Sequence, residues 1–229
     1  MTTWVYAFAE TTDARRAAGR LPPGLGAGPV RLLPIDTVTA AIGDAPLEAP
    51  AGLEPLLRHE HVVEVLGHFS DAVLPARFAT RLPNDAAVIT YAECHMDALR
   101  SALHRVRDRA EFAVHFAAAP ASPPEPDTPA SAEPMTGRDW LARRVAARQD
   151  DDNLRAVVHA ALAPLATDAV WRPAEPDRRP ASAAYLVDKG HICEFRSRLD
   201  ALGRETDRLR LTLTGPWPPY SFCALEPAR

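Results

Sequence analysis

The sequence predicts an α+β protein made of two small domains. Segments with the two-residue period of strands alternate with segments that have the period of helices, and one proline-rich break separates them. The break, residues 117–134, carries six prolines, each of which fixes φ and lacks a backbone donor. We therefore predict an N-terminal α+β domain at residues 1–118, a linker at 119–135 and a C-terminal α+β domain at 136–229.

The N-terminal domain is predicted to open with a strand. Trp4, Tyr6 and Phe8 alternate with smaller apolar residues, a pattern that places the three rings on one face. Further elements are expected in the order strand, helix, strand, helix and strand, at residues 30–42, 55–69, 73–80, 91–108 and 112–116. This order indicates a ferredoxin-like sheet covered by two helices.

The C-terminal domain is predicted to consist of a long helical region and a small sheet. Residues 136–139 resemble a capping box and place a helix start at Gly137. The acidic residues 150–152 leave open whether one helix or two follow, and Pro164 should end the region. A surface loop, a strand, a helix and a strand should then lie at residues 172–182, 183–187, 192–202 and 209–213, with the last strand stopped by Gly-Pro.

Composition excludes several classes of protein. The net charge is only −4 and the pI about 6.1, whereas non-specific nucleic-acid binding needs a concentrated basic face. No apolar run approaches the length of a membrane span. Three widely spaced cysteines favour neither a disulfide framework nor a zinc-thiolate site. We expect a cytoplasmic protein with no nucleic-acid or membrane partner.

One histidine cluster gives the main alternative, a metal-dependent hydrolase. Zinc hydrolase helices carry HExxH, with histidines at i and i+4. This chain has His59, Glu60 and His61, but Val63 stands where the second ligand should be. His61 and Glu64 could still share a face, with His68 one turn beyond. The hydrolase would use His59, His61 and Glu64, with His68 as a further candidate. A solvated helix face is the favoured interpretation, and no metal is expected.

Other catalytic patterns are missing or incomplete. The sequence has no GxSxG elbow and a single lysine, Lys189, which leaves little basis for a P-loop or Schiff-base mechanism. The glycines at 24, 26 and 28 lie beside prolines and indicate a turn. Cys94 and His95 are adjacent on a helix, so their side chains diverge, and a buried thiol is the favoured reading for Cys94. We predict a protein without catalytic residues or cofactors.

The C-terminal tail carries the candidate site. After a strand, three prolines hold an extended path around aromatic residues, and such segments lose little entropy when they dock. The candidate partner-binding or tail-docking residues are Trp217, Pro218, Pro219, Tyr220 and Phe222. The aromatic rings either pin the tail onto the protein's own fold or meet a partner, and aromatic side chains more often serve cores.

The tail resembles the end of the gas vesicle protein F/L family (GvpF/GvpL), whose members typically close with LTGPWPPYSF. Residues 213–222 match that motif, and shorter segments follow in the family's order: WVYAF, the HExVVE patch at 59–64, VLPARF at 73–78, AEFAVHF, GRDWL and AAYLV. Ala79 stands where the family commonly has glycine, and Ser182 where asparagine is usual. The resemblance covers nearly the whole chain.

The resemblance implies a minor gas vesicle protein that is needed for vesicle formation and is not an enzyme. It also implies contact with the main shell protein (GvpA) and other accessory gas vesicle proteins during nucleation and assembly. A shell subunit that builds a gas-facing wall must expose apolar surface, which aggregates if nothing covers it. Whether the chain acts transiently or stays in the finished wall is left open.

Overall fold

The computed structural model describes residues 2–46, 48, 50–118, 136–173, 181–206 and 209–223. The chain divides into two units, Met1–Glu111 together with Pro216–Arg229, and Phe112–Gly215. Each unit combines helices with one sheet, so the α+β class is confirmed. The predicted linker, residues 119–135, lies outside the described residues. The bounds differ from the predicted domains at two places, because residues 112–118 belong to the second unit and the C-terminal tail belongs to the first.

The first unit contains a sheet of five strands. Four of them lie side by side in the order β2-β3-β1-β4, all antiparallel, and β5 pairs with the N-terminal end of β1. The strands are β1 (Thr3–Glu10), β2 (Arg31–Ile35), β3 (Val38–Asp44), β4 (Val73–Pro75) and β5 (Arg81–Leu82). With helices α1 (Thr11–Ala14) and α2 (Leu53–His68) in the two crossovers, this is the strand order of a ferredoxin-like fold.

The ferredoxin-like prediction holds, but through different strands from those proposed. Residues 30–42 form the hairpin β2–β3, with Asp36 at a positive φ of 55° in its turn. Of the strand predicted at 73–80, only Val73–Pro75 is extended in a sheet, as β4, and β5 begins just after its predicted end. The predicted last strand is part of β6 (Arg109–Ala118), which lies in the other sheet.

A β-bulge changes the expected placement of the rings on β1. The register with β3 slips between Val5 and Ala7, which leaves Tyr6 as the extra residue. Trp4 and Tyr6 therefore pack in one core cluster with the buried face of α2. Phe8 lies on the opposite face, where its ring contacts Tyr91 at a centroid distance of 6.4 Å. The prediction that all three rings share a face is wrong.

Two helices, α3 (Asp85–Cys94) and α4 (Met96–Val106), replace the single helix predicted at residues 91–108. Asn84 caps α3 by accepting a hydrogen bond from the amide of Ala87 at 2.9 Å. The helix breaks at His95, where ψ is 17°. The predicted apolar stripe survives in α4, whose Leu99, Leu103 and Val106 are buried.

The glycine-rich loop after α1 is a close-packed turn. A Cβ on Gly26 would lie 2.1 Å from the carbonyl oxygen of Asp44, and one on Gly24 would lie 2.4 Å from the hydroxyl oxygen of Tyr6. That hydroxyl also accepts the amide of Leu25 at 2.8 Å. The glycines allow the loop to approach the sheet, as glycine does where backbones come close together.

The second unit has a four-stranded sheet in the order β7-β8-β6-β9. Its further elements are α5 (Gly137–Leu162), β7 (Asp168–Arg172), β8 (Ala181–Asp188), α6 (Ile192–Glu205) and β9 (Leu209–Trp217). Helix α5 begins at the predicted residue and continues through the acidic stretch as one helix. The ring of Phe195 on α6 packs 5.6 Å from those of Phe112 and Tyr185 on the sheet.

This unit differs from the prediction at two strands. Strand β7 was not predicted, because five residues of mixed polarity carry little periodic signal. Strand β9 does not stop at Gly-Pro, but continues through Gly215, at a φ of 115°, and Pro216 to Trp217. Strand β9 is the last strand in the described sheet order, and edge strands are the positions where sheets accommodate proline.

Candidate functional site at the C-terminal tail

The tail enters the first unit at Pro216, directly after the second unit ends at Gly215. Residues Tyr220–Phe222 then form a 3₁₀ turn. The amide of Phe222 donates to the carbonyl of Pro219 at 3.1 Å, which closes the turn. Prolines restrict the approach to it, so the aromatic side chains are presented with little backbone freedom.

Tyr220 binds helix α2. Its hydroxyl donates a hydrogen bond of 2.6 Å to Oε2 of Glu60. Burial raises the pKa of Glu60, while the hydrogen bond from Tyr220 opposes that rise. Burial and the same hydrogen bond raise the pKa of Tyr220, which therefore keeps its proton at neutral pH. A hydrogen bond to a charged acceptor is among the stronger ones in proteins.

Ser221 binds a second carboxylate, at the start of β6. Its amide donates to Oε2 of Glu111 at 2.7 Å, and its hydroxyl donates to Oε1 at 2.5 Å. Glu111 is buried, and a buried carboxylate needs such donors to offset the loss of water. Consecutive tail residues thus contribute donors to acidic side chains of the first unit.

Phe222 supplies the apolar part of the attachment. Its side chain is 2% exposed, and the guanidinium of Arg105 lies 5.7 Å from its ring centroid. Pro219 is buried as well. The thiol of Cys223 donates to the carbonyl of Pro219 at 2.9 Å, and burial raises the pKa of that thiol.

Trp217 behaves differently from the other aromatic residues of the tail. It is 47% exposed, whereas Phe222 is buried and Tyr220 is half-buried. Pro218 lies between them at intermediate exposure. The five predicted residues therefore divide into an anchoring group and one aromatic side chain that remains accessible. The anchoring contacts lie within the first unit, although the tail was predicted to belong to the C-terminal domain.

A second exposed apolar surface lies on the helix that Tyr220 binds. Leu53, Leu56 and Leu57 are exposed, and their spacing of three and four residues places them on one side of α2. We call these residues the leucine face. Glu60 follows Leu56 by four residues and Leu57 by three, so it lies one turn farther along the same side.

Trp217 and the leucine face each lie near one end of the hydrogen bond between Tyr220 and Glu60 in sequence. Trp217 precedes Tyr220 by three residues, which limits their separation to about 11 Å even in an extended chain. Glu60, the partner of Tyr220, is one helical turn from the leucine face, a rise of about 5.4 Å. The first unit thus exposes a tryptophan of the tail and three leucines of the helix that the tail binds, and exposed apolar side chains of this kind are typical of protein recognition.

The family model described as "Gas vesicle synthesis protein GvpL/GvpF" matches residues 2–224. The chain belongs to the GvpL/GvpF family. Gas vesicle protein L of Streptomyces sp. (strain CB03234) is 33% identical over 254 residues, covering 97% of this chain and 92% of the relative. Gas vesicle protein F of the same strain is 29% identical over 243 residues, covering 97% and 99%.

Solved structures show the same fold. Crystal structures of GvpF from Anabaena sp. PCC7120 and from Microcystis aeruginosa superpose with TM-scores of 0.74 and 0.75. Their identities are 17% and 18%, and each comparison covers 98% of this chain and 99% of the other. As a GvpL/GvpF member the chain has a role in gas vesicle formation and associates with gas vesicle components. The family is not one of known enzymes.

The histidine cluster on α2 does not form the arrangement that the hydrolase alternative needs. His59 is buried, and its Nδ1 accepts a hydrogen bond from Nε1–H of Trp4 at 3.0 Å. Its Nε2 therefore carries the proton and donates to the carbonyl of Ala76 at 3.1 Å. Burial lowers the pKa of His59 to about 4, although the hydrogen bond to the carbonyl of Ala76 acts to raise it. Both ring nitrogens are engaged within the protein.

The other members of the cluster point to solvent. His61 is exposed, and its Nδ1 lies 3.6 Å from Oε2 of Glu64. Among the described residues, no group of three histidine, cysteine, aspartate or glutamate side chains is arranged to hold a metal ion. Within the same residues, no helix is long and apolar enough to cross a membrane.

Cys94 is exposed, so the prediction of a buried thiol is wrong. It lies at the end of α3, next to the break at His95. The imidazole of His95 stacks on the ring of Tyr91 at 4.3 Å. The helix break, which periodicity did not reveal, decides this exposure.

The sequence did not reveal the acceptors of the tail. Glu111 immediately precedes the strand predicted at 112–116, and Glu60 has a predicted role only as part of the histidine cluster. Each is a single carboxylate far from the tail in sequence. The leucine face, by contrast, has a signal in the sequence. Leu53, Leu56 and Leu57 lie outside the stripe formed by Val62 and Leu66, which leaves them on another side of α2.

Proposed function

We propose that this GvpL/GvpF member binds the main gas vesicle shell protein (GvpA) and other accessory gas vesicle proteins during nucleation and assembly of the vesicle, in the cytoplasm. The observation that carries the proposal is the set of large apolar side chains exposed on the surface of the first unit, namely Trp217 and the leucine face. Family membership supplies the process, and this surface supplies a place for a partner.

The physical argument rests on apolar area. Contiguous exposed apolar groups on a monomer are unfavourable in water and mark interaction sites. Tryptophan is among the residues that contribute most to binding energy when it enters a partner's pocket. The hydrogen bonds of Tyr220 and Ser221 hold the tail before a partner arrives, so less conformational entropy is lost on binding.

Capture of the shell protein tests the proposal. The affinity-tagged chain is co-expressed with the shell protein, and the shell protein recovered with it is quantified by mass spectrometry. Wild-type chain should capture the shell protein, and the double variant Trp217→Ala, Leu57→Gln should capture at least about tenfold less, since two interface anchors together contribute more than 1.4 kcal/mol.

A matched control is available on α5. Val145, like Leu57, is an exposed apolar residue of a helix, with exposed fractions of 67% and 56%. Val145→Gln should leave capture unchanged. The proposal fails if wild-type chain captures no shell protein, or if the double variant and Val145→Gln capture equal amounts while all three proteins melt at the same temperature.

A further inference from the structure

The second unit contains a small pocket that the tail and the leucine face do not involve. Its volume is about 70 Å³, and it is formed by one side of α5 and the strands of the second sheet. The residues that carry polar groups into its lining are Arg155, His159 and Tyr185, and the rings of Phe116 and Trp171 supply apolar walls.

Tyr185 has an unusual hydroxyl. The residue is 0% exposed, and within the described part of the chain its hydroxyl has no hydrogen-bond partner. Buried polar groups are nearly always paired, and an unpaired one calls for a ligand, an ion or a water. Burial raises the pKa of Tyr185 to about 12, despite the opposing charge of Arg155, so the hydroxyl keeps its proton and can donate it in a hydrogen bond.

The two other polar groups are nitrogen donors on adjacent turns of α5. The guanidinium of Arg155 lies 5.0 Å from the ring centroid of Trp171. His159 follows four residues later, and its ring is nearly parallel to that of Tyr185 at 6.3 Å. Arg155 and His159 are the exposed members of the lining, so rotation of these side chains admits a ligand from solvent.

These groups define the chemistry of the occupant. Arginine offers only donors, the protonated hydroxyl of Tyr185 offers one, and none of the described residues that line the pocket carries a carboxylate. A ligand that accepts from several donors and carries negative charge fits this set. The volume equals roughly two waters of about 30 Å³ each, which suits one carboxylate or phosphate group. We propose that this pocket binds a small oxyanion of carboxylate or phosphate size.

The aromatic walls strengthen such binding. Trp171 and Phe116 stack at 5.1 Å and reduce the access of water to one side of the pocket. Electrostatic attraction between an oxyanion and Arg155 is stronger where water is excluded. The ligand would be either a free anion or the carboxylate of a protein side chain, and the two share this recognition chemistry.

Binding to the full-length protein tests the inference. Inorganic phosphate, acetate and the neutral isostere acetamide are titrated at constant ionic strength, and tryptophan fluorescence and melting temperature are followed. Phosphate or acetate should raise the melting temperature and saturate, and acetamide should not. Saturation by phosphate alone indicates a tetrahedral free anion, and saturation by acetate alone indicates a carboxylate. Each of these two results supports the proposal.

Two variants and one control decide the assignment. Tyr185→Phe removes only the unpaired hydroxyl and Arg155→Gln removes the charge, and each should weaken binding about tenfold or more. Arg196, whose guanidinium lies 5.5 Å over the ring of Phe112 in the same unit, provides the control Arg196→Gln, which should bind like wild type. The inference is overturned if neither anion saturates wild-type protein, or if Tyr185→Phe and wild type bind equally.

Discussion

Replacing Tyr220 with phenylalanine tests the attachment of the tail most directly. The change removes one oxygen, which donates to Oε2 of Glu60 at 2.6 Å, and keeps the ring. A hydrogen bond to a charged acceptor contributes about 1.5–3 kcal/mol. Because Glu60 is only half-buried, water partly replaces the lost donor, and we expect Tyr220→Phe to lower the free energy of unfolding by about 2 kcal/mol at pH 7.

A double-mutant cycle separates this bond from the packing of the ring. In Glu60→Gln the acceptor is neutral, so Tyr220→Phe on that background should cost about 1 kcal/mol or less. Urea unfolding at 25 °C, with equal slopes for all four proteins, supplies the four free energies. The reasoning is refuted if Tyr220→Phe costs the same on both backgrounds, since the carboxylate would then contribute nothing to the attachment.

The cycle should also depend on pH in a definite direction. Burial raises the pKa of Glu60 above its ordinary value of 4.5, so the folded state holds this proton more tightly than the unfolded state. Stability from the group is fully present below about pH 4.5 and is lost as the pH rises through the raised pKa. Without the hydroxyl of Tyr220, nothing from the tail opposes the rise in the pKa of Glu60. The loss of unfolding free energy in Tyr220→Phe should therefore be largest at neutral pH and should become smaller on acidification.

Two more outcomes follow from burial. Phe222→Ala should lower the free energy of unfolding by about 3–5 kcal/mol, because the ring is 2% exposed, whereas Trp217→Ala should cost less than half as much; equal losses in urea unfolding would contradict this division of the tail. The pKa of His59, lowered to about 4 from 6.5, means that stability present above pH 6.5 is lost between pH 6.5 and 4, by about 3 kcal/mol. The free energy of unfolding of His59→Phe should not show that loss between pH 6.5 and 4. If the variant loses as much stability as wild type over this range, the imidazole of His59 is not held neutral by its two hydrogen bonds.

Local pattern predicted much of the architecture. The alternation in β1, the apolar stripes of α2 and α4, and the start of α5 at Gly137 were available from residue spacing, because a helix or strand must turn its apolar residues toward one side. The family followed from GPWPPYSF and the shorter segments in their order. The ferredoxin-like order was predicted for a strand set that proved partly wrong.

Pairing across long sequence separations could not be predicted in this way. Strand β6 lies within the predicted N-terminal domain in sequence, yet it pairs in the second sheet, where the ring of Phe112 packs against that of Phe195, far along the chain. The bulge at Tyr6 and the helix break at His95 leave no periodic trace. Each sets the direction of the side chains that follow it.

The sequence by itself determined that the C-terminal tail is rich in aromatic and proline residues and belongs to a GvpL/GvpF protein. Only the tertiary structure decided which rings anchor the tail and which remains accessible. The reason is that the partners of Tyr220 and Ser221 are Glu60 and Glu111, single carboxylates that lie more than one hundred residues away. These two carboxylates can accept hydrogen bonds from the tail only because the fold brings them next to it.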